Sequence, residues 1–217
     1  MTKTLGRLFI PDERDKKYHL KSLMPKAAVT ITSKYWWAAG WWGDQGETSE
    51  CVAYSWTHWL AEGPIVQKGK PPINPDVLYN EAQKVDEWPG ENYDGTSVRA
   101  GAKVLQSKGF ISTYNWAWDI ETVKTCLLTT GPMVVGTLWY DNMFYPDING
   151  LIKVGGAIAG GHAYLLDGIN VKTGLIRIKN SWGKSWGKGG FAYISIADME
   201  KLILDDGEAC LATEIKK

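Results

Sequence analysis

The stretch KNSWGKSWG, at positions 179–187, decides how the second half of this chain is interpreted. It ends an apolar run of period two, which predicts a β-strand over residues 175–182. The side-chain carbonyl of Asn180 can accept a hydrogen bond from an imidazole N–H and fix the orientation of that ring. Trp182 lies on the same face of the strand, where it would shield the bond from water. The stretch therefore predicts a histidine partner for Asn180.

Of the three histidines in the sequence, His162 is the best candidate for this partner. It follows two glycines at the start of a predicted strand, so its ring has room to project into a cleft. His19 lies in a charged stretch near the N-terminus, where a solvated side chain is expected. His58 is two helical turns beyond the nearest candidate nucleophile, about 10 Å along the axis. Asp167, a rival orienting group, is five residues from His162 and faces the other side of the strand.

Cys51 is the candidate nucleophile. It follows three good capping residues, Thr48-Ser49-Glu50, and so lies in the first turn of a predicted helix. Backbone N–H groups and the helix dipole stabilise a thiolate there. This position alone is equally compatible with a reactive and a structural thiol. Gln45, six residues earlier, could donate its amide together with the Cys51 backbone N–H to an oxyanion, and one such donor is worth about 3–4 kcal/mol.

The two halves of the chain follow different periodicities. Helices are predicted over residues 51–62, 75–87, 97–108 and 120–130, and strands over residues 133–140, 162–170, 175–182 and 191–196. Residues 1–35 mix charge with turn formers and indicate an extended arm on the surface. The pattern predicts an α+β fold of two lobes, with an active site in the groove between them.

Composition excludes several classes of protein. The 217 residues carry 24 basic and 24 acidic side chains, so we expect no nucleic-acid partner. No run of about 18 apolar residues is present, so we expect no membrane span. The three cysteines form no CxxC pair and none has zinc-ligand spacing to a histidine, which predicts no metal and no cofactor. Without a signal-peptide pattern, a reducing and cytoplasmic setting is expected.

Three segments of this sequence resemble the papain-like cysteine peptidases. Residues 44–55 look like the nucleophile segment of that family, residues 161–163 like its histidine segment, and residues 179–191 like its Asn-Ser-Trp-Gly block and the following hairpin. The resemblance implies one catalytic domain over residues 1–217. A helical lobe (about 36–115) would carry the cysteine, and an antiparallel β-rich lobe (about 116–217) would carry the histidine and asparagine.

The resemblance also implies an activity, the hydrolysis of peptide bonds in a peptide or protein substrate through a thioester. Cys51, His162 and Asn180 would form the triad and Gln45 the oxyanion hole. Substrate-binding residues implied by the resemblance are Asp94, Gly95, Thr96, Gly161 and Trp182, with Ser97 and Val135–Gly136 along the main specificity pocket.

The sequence departs from the family's secreted members. Thr48 stands in place of a disulfide cysteine, which agrees with an intracellular, bacterial-style member without disulfides, and we expect such a member to lack an inhibitory pro-segment. Ser49 replaces a glycine, and Glu50 adds a carboxylate beside the thiol.

Two non-enzymatic alternatives remain open from the sequence. One is a catalytically weak papain-like binding module. The other is a carbohydrate-binding protein that uses some of its 12 tryptophans, because the pairs Trp36-Trp37 and Trp41-Trp42 could stack on sugar rings. The presence of all four candidate catalytic residues favours the enzyme. The oligomeric state is not predicted.

Overall fold

The computed structural model describes residues 3–24, 29–36, 40–62, 70–90 and 92–215. Within these ranges there are five α-helices: α1 Cys51–Glu62, α2 Pro75–Gln83, α3 Val98–Ser107, α4 Ile120–Thr129 and α5 Ile196–Leu204. Seven strands are present in the same ranges: β1 Ser33–Tyr35, β2 Ile111–Ala117, β3 Met133–Tyr140, β4 Ile158–Asn170, β5 Leu175–Lys179, β6 Phe191–Ser195 and β7 Glu208–Glu214. Short 3₁₀ helices cover Glu13–Tyr18, Leu20–Leu23 and Asp141–Phe144.

The strands form one antiparallel sheet in the order β2-β7-β3-β4-β5-β6, with β1 paired to β4. Strand β4 lies between two hydrophobic cores. Its successive side chains point to opposite faces of the sheet, so alternate residues pack into different cores. Ala163 and Leu165 pack into the core of α1, α2 and α3, whereas Tyr164 and Leu166 pack into the core of α4 and α5. The fold is therefore the expected α+β arrangement, in which a helical part packs against a β-rich part.

Helix α1 is buried on nearly all sides. Eleven of its twelve residues are buried, and only Tyr54 is partly exposed. A helix that is buried all round belongs in the interior of a protein, and α1 packs against both β4 and α2. The described part of α1 ends at Glu62, which is the end predicted from the sequence.

Side-chain caps explain where the other early helices begin. The side chain of Asn74 accepts from the N–H groups of Asp76 and Val77 at the start of α2, and the side chains of Ser97 and Asp119 accept from backbone N–H groups at the starts of α3 and α4. Helix α2 ends at Gln83, four residues before the predicted end. None of the described helices is long and apolar enough to cross a membrane.

Most of the described residues in 1–35 are exposed or partly exposed, but not all of their side chains lie on the surface. Arg7 and Asp15 are buried, and the 3₁₀ helix at Glu13–Tyr18 packs against β2. Ion pairs allow this burial, because Arg7 and Asp15 each have a buried side chain of opposite charge as a partner. Residues 3–9, which we call the arm segment, run through the groove described next.

Candidate active site

His162 and Asn180 are brought together by neighbouring strands. His162 lies in β4, and Asn180 follows directly after β5, which pairs with β4. The His162 Nε2 and Asn180 Oδ1 atoms are 2.8 Å apart, and both side chains are fully buried. Trp182 stacks on the imidazole with a centroid distance of 4.6 Å and an interplanar angle of 21°. Trp139 contacts the same ring edge-on at 4.8 Å. The ring is therefore held in one orientation.

Cys51 is the first residue of α1, and its thiol is completely shielded from solvent. Burial raises the pKa of this thiol to about 12, although the backbone N–H groups of Ala163, Val52 and Gly6 oppose the rise. Burial also lowers the pKa of His162 to about 4, against the effect of its bond to Asn180. In this arrangement both groups are neutral near pH 7. His162 Nδ1 has no hydrogen-bond partner among the described residues.

Gln45 lies between the arm segment and the residues that follow β5. Its Nε2 donates to the carbonyl oxygens of Thr48 at 2.6 Å and Thr4 at 3.4 Å. Its Oε1 accepts from the Ser181 hydroxyl at 2.5 Å. The amide is thus fixed by Ser181, while one of its N–H groups is directed to a residue of the arm segment.

The arm segment forms hydrogen bonds with both walls of the groove. On one side, the N–H groups of Gly6 and Arg7 donate to the Gly161 carbonyl at 3.2 and 3.0 Å. On the other side, Thr96 N–H donates to the Gly6 carbonyl at 3.0 Å, and Leu8 N–H donates to the Thr96 carbonyl at 2.9 Å. Arg7 and Thr96 pair in parallel. The segment therefore bridges the helical and β-rich parts directly over the candidate nucleophile.

The fit of the arm segment depends on glycines. A Cβ atom on Gly6 would lie 2.0 Å from the Ser49 carbonyl oxygen, and one on Gly161 would lie 2.2 Å from the Arg7 carbonyl oxygen. Gly95 has a φ of +97°, and a Cβ atom there would lie 2.5 Å from the Gly6 carbonyl oxygen. Such distances are shorter than any real carbon contact. Backbone therefore packs directly on backbone along this groove.

The proposed substrate-binding residues differ in their positions. Thr96 and Gly161 pair with the arm segment, and Gly95 packs against it. Trp182 is fully buried beneath His162, and its carbonyl accepts from Lys3 Nζ at 3.3 Å. Asp94 is exposed. A role for these residues in binding substrate stays a prediction.

The sequence reasoning missed a buried ion pair at one end of the groove. Arg7 donates from Nε and Nη2 to Glu208 Oε1, both at 3.2 Å, and from Nη2 to the Asp206 carbonyl at 2.7 Å. Both charged side chains are almost fully buried. The signal that could have identified Glu208 is its position at the start of the apolar run 209–212, where an unpaired carboxylate would be costly.

The other histidines and the rival carboxylate lie away from this centre. His58 is buried in α1, where its Nε2 accepts from Gly43 N–H at 3.1 Å. His19 caps the second 3₁₀ helix through a bond from Lys21 N–H. Asp167 is bound by the Arg177 guanidinium through two contacts of 2.8 Å.

The tryptophans considered for sugar binding are engaged in packing. Trp36 Nε1 donates to the Leu127 carbonyl at 2.8 Å, and Trp42 contacts Phe191 edge-on at 4.7 Å. Trp41 lies against His58 with a centroid distance of 5.0 Å. Trp37 lies outside the described residues. Among the described residues, no group of three His, Cys, Asp or Glu side chains is placed to hold a metal ion.

A model of the papain family of cysteine proteases matches residues 45–205, which contain Gln45, Cys51, His162 and Asn180. This chain belongs to the papain family. The residues that the family model matches therefore include both walls of the groove, at Thr96 and at Gly161.

Curated relatives share part of this sequence. An uncharacterized peptidase C1-like protein of Acanthamoeba polyphaga mimivirus is 23% identical over 194 residues, 68% of this chain and 62% of that protein. The cathepsin B-like cysteine proteinase 6 of Caenorhabditis elegans is 32% identical over 155 residues, 63% of this chain and 41% of that protein. The chain therefore spans less than two thirds of the length of these relatives.

Solved structures of proteases share the fold of this chain. Xylellain, a cysteine protease from Xylella fastidiosa, superposes with a TM-score of 0.75 at 20% identity, covering 99% of this chain and 98% of xylellain. The bromelain protease from Ananas comosus gives a TM-score of 0.63 at 15% identity and covers 85% of this chain. The superposition with xylellain therefore includes residues outside 45–205, the range that the family model matches.

Proposed function

We propose that this papain-family chain is a cysteine-type peptidase that hydrolyses peptide bonds with Cys51, His162 and Asn180. The observation that carries the proposal is the 2.8 Å bond from His162 Nε2 to Asn180 Oδ1, whose imidazole stacks on Trp182. It commits one ring nitrogen to the asparagine and leaves Nδ1 for the thiol. Cys51 lies at the start of α1, where helix N–H groups stabilise negative charge.

The reaction begins when the arm segment leaves the groove and substrate enters. Water and the substrate carbonyl then reach the site, which reduces the burial that holds Cys51 and His162 neutral. The thiol proton passes to His162 Nδ1. The sulfur attacks the carbonyl carbon, a C–S bond forms, and the carbonyl oxygen takes the negative charge.

The remaining steps use the same groups in sequence. The imidazolium donates its proton to the amine, the C–N bond breaks, and a thioester is left on Cys51. His162 then takes a proton from water, whose oxygen attacks the thioester and releases the acid and the thiol. Asn180 keeps the ring in place throughout.

Gln45 stabilises the oxyanion in this proposal. When the arm segment departs, the Thr4 carbonyl departs with it, and Gln45 Nε2 loses one of its two acceptors. The bond from Ser181 still fixes the other end of the amide. The N–H group that is freed can turn to the oxyanion together with the Cys51 backbone N–H. One such donor contributes about 3–4 kcal/mol to the transition state.

Thiol labelling and peptide hydrolysis test the proposal together. A thiol-directed epoxide should label Cys51 one to one, and Cys51→Ala should abolish hydrolysis of an unstructured peptide pool. Cys126→Ala is the matched control, because Cys126 is also a buried thiol whose pKa is raised to about 12. It should keep both labelling and hydrolysis.

Asn180→Ala tests the orienting bond. It should lower kcat by about 10²-fold or more while thiol labelling persists, because the nucleophile remains and the ring loses its partner. Hydrolysis that survives in Cys51→Ala, at the level of the unmodified chain, would overturn the proposed function.

A further inference from the structure

We infer that Trp139 is a positioning residue for the proposed catalytic histidine, and that it acts by closing a side of the His162 ring that Trp182 leaves open. This role rests on the proposed peptidase function and adds one residue to it. It concerns the alignment of the imidazole during the reaction and leaves the binding of substrate to other residues.

Trp182 covers only one face of the imidazole. Its ring is nearly parallel to that of His162, with an interplanar angle of 21° and a centroid distance of 4.6 Å. A parallel partner of this kind opposes tilting of the imidazole toward that face, but it leaves the edge of the ring uncovered. The Nε2 atom that bonds to Asn180 Oδ1 belongs to this edge. A second side chain is therefore required to keep the imidazole from moving sideways.

Trp139 lies beside the stack formed by His162 and Trp182. Its ring centre is 4.8 Å from that of His162 and 5.4 Å from that of Trp182, with interplanar angles of 72° and 88°. A ring on the outer face of His162 would lie about twice as far from Trp182 as His162 does. Because the three ring centres form a nearly equilateral triangle instead, the indole stands upright along both rings. It therefore blocks the sideways movement that stacking alone does not oppose.

Strand pairing explains how Trp139 reaches this place. Thr137 of β3 is paired with His162 of β4, and paired side chains point to the same face of the sheet. Trp139 is two residues beyond Thr137 and so shares that face. The residue opposite Trp139 is Gly160, which has no side chain. The indole therefore has room to lean across β4 toward His162.

Other aromatic side chains hold Trp139 in place. Its ring lies 5.6 Å from the Tyr164 ring and 6.2 Å from the Phe144 ring. Phe144 in turn stacks on Trp182 with an interplanar angle of 10°. Trp139 is fully buried. Close-packed rings have few alternative positions, so this cluster fixes the indole and, through it, the imidazole.

The proposed chemistry of His162 depends on this alignment. Asn180 Oδ1 can only accept, so Nε2 carries the ring proton and Nδ1 is left to take the proton of the Cys51 thiol. A hydrogen bond is stronger where water is excluded, as it is among these buried rings. A misplacement of about 1 Å can cost about 100-fold in rate. Loss of Trp139 should therefore slow the chemical step and leave the affinity for substrate nearly unchanged.

Steady-state peptide hydrolysis by Trp139→Met and Trp139→Phe, each in the full chain, separates these effects. Met fills irregular space without a flat ring, whereas Phe keeps a flat ring. We expect kcat to fall about 10- to 100-fold in Trp139→Met while KM changes by less than about 3-fold, and we expect Trp139→Phe to recover most of the loss. The same kcat per folded molecule in both variants and in the unmodified chain would overturn the inference.

Trp116→Met is the matched control. Trp116 is also a fully buried tryptophan, and like Trp139 it has an Nε1 without a hydrogen-bond partner among the described residues. It packs in the core of α1, α2 and α3, where its ring contacts Tyr114. It should lose comparable stability in urea unfolding and keep its kcat. A loss of kcat as large as that of Trp139→Met would mean that any large gap in the interior has this effect, which contradicts a positioning role.

Proton NMR of the His162 ring provides a readout that needs no turnover. The Nε2 proton, assigned by its loss in His162→Gln, should exchange slowly with water in the unmodified chain and at least about 10-fold faster in Trp139→Met. Trp116→Met should leave this rate unchanged. If Trp139→Met does not fold, Trp139→Phe decides the question, because its smaller ring should still raise the exchange rate by about 2-fold or more.

The exchange rates also keep the two proposals apart. Equal exchange in the unmodified chain and in the Trp139 variants, or fast exchange in all of them, would overturn the inference while Cys51-dependent hydrolysis still stands. Hydrolysis that does not depend on Cys51 would instead overturn the proposed function, and the exchange rates would still show whether Trp139 holds the ring.

Discussion

The amide nitrogen of Arg7 lies 3.0 Å from the carbonyl oxygen of Gly161, the residue directly before His162. This contact fixes the N-terminal arm segment on the β-rich wall, and the Thr96 contacts fix it on the helical wall. The Cys51 thiol beneath it is fully shielded. In the proposed reaction Cys51 cannot meet a substrate until the arm segment moves, so the strength of the arm contacts should set the rate at which the thiol reacts.

Gly6→Ala should open the groove. The added Cβ atom would lie 2.0 Å from the Ser49 carbonyl oxygen, a backbone atom that cannot rotate away, so the arm segment has to leave its position. We expect epoxide labelling of Cys51 to become faster by about 10-fold or more, since displacing the arm at a cost of about 1.4 kcal/mol already corresponds to a factor of ten. Labelling rates measured by intact mass against time provide the check.

Gly40→Ala is the matched control for this change. It also adds one methyl group to a glycine in the N-terminal quarter of the chain, but among the described residues no atom outside its chain neighbours lies within 4 Å of the new Cβ position. Its labelling rate should equal that of the unmodified chain. If Gly6→Ala labels no faster than Gly40→Ala, the arm segment does not limit access to Cys51.

Asp15→Asn should weaken the attachment of the chain just after the arm segment, and thereby loosen the arm segment itself. The buried Arg99 guanidinium binds Asp15, which follows the arm segment, and Glu87 of the helical part. Asp12 Oδ2 lies 3.6 Å from Arg99 Nη1. Removing the Asp15 charge weakens a largely buried pair, whose loss costs far more than that of an exposed pair. We expect faster labelling of Cys51, by about 5- to 50-fold. Glu13→Gln, which breaks only the exposed pair with Lys16, should have no effect. Equal rates in the two variants would contradict the anchoring role.

The features of the fold and of the candidate site that the sequence predicts are those fixed by local rules. Asn74, Ser97 and Asp119 each begin a helix because a short polar side chain caps the free N–H groups, and such a signal can be read from a few neighbouring residues. Strand β3 has the predicted bounds, 133–140, because the change of periodicity after Gly131 is also a local signal. Asn180 and His162 were paired on residue chemistry and strand parity, which are also short-range properties.

The parts that were missed depend on contacts between distant segments. Arg7 and Glu208 are 201 residues apart, and nothing near either residue indicates its partner. The charged arm sequence has the composition of a solvated surface segment, yet the groove supplies it with backbone partners and an ion pair. Strand β7 was also missed, because its pairing with β2 and β3 is set by the sheet rather than by its own seven residues.

Acid stability should change when His58 is replaced. Burial and the nearby Lys179 charge hold the pKa of His58 well below 6.5 in the folded chain. Below pH 6.5 the unfolded chain binds a proton at His58 and the folded chain does not, so the free energy of unfolding falls as the pH falls, by up to about 1.4 kcal/mol per pH unit. The stabilising contribution is fully present above pH 6.5.

His58→Gln removes this titration while its side-chain oxygen can still accept from Gly43 N–H. Urea unfolding at pH 7.5 and pH 5.5 should show a smaller loss of stability for the variant than for the unmodified chain. His162, whose pKa is lowered to about 4, contributes equally to both proteins and cancels in the difference. The same loss in both proteins would show that His58 is not buried as a neutral ring.

Removing one partner of the buried ion pair between Lys179 and Glu62 should lower the free energy of unfolding strongly. Both side chains are fully inaccessible to solvent, and Lys179 also donates to the Trp41 carbonyl at 3.1 Å. Lys179→Met keeps the approximate volume but leaves the carboxylate without this cation, which should destabilise the fold by about 3–5 kcal/mol. The double variant Lys179→Met/Glu62→Met removes both charges and should recover most of that loss.

Urea unfolding of the single and double variants measures this difference. Lys124→Met is the control, because its pair with Glu121 is more exposed and lies within one helix turn, so the change should cost no more than about 1 kcal/mol. Recovery in the double variant would show that the single variant fails through an uncompensated charge. A double variant as unstable as Lys179→Met alone would instead mean that the lysine stem holds the strand end before Asn180 by packing, and that the ion pair itself contributes little.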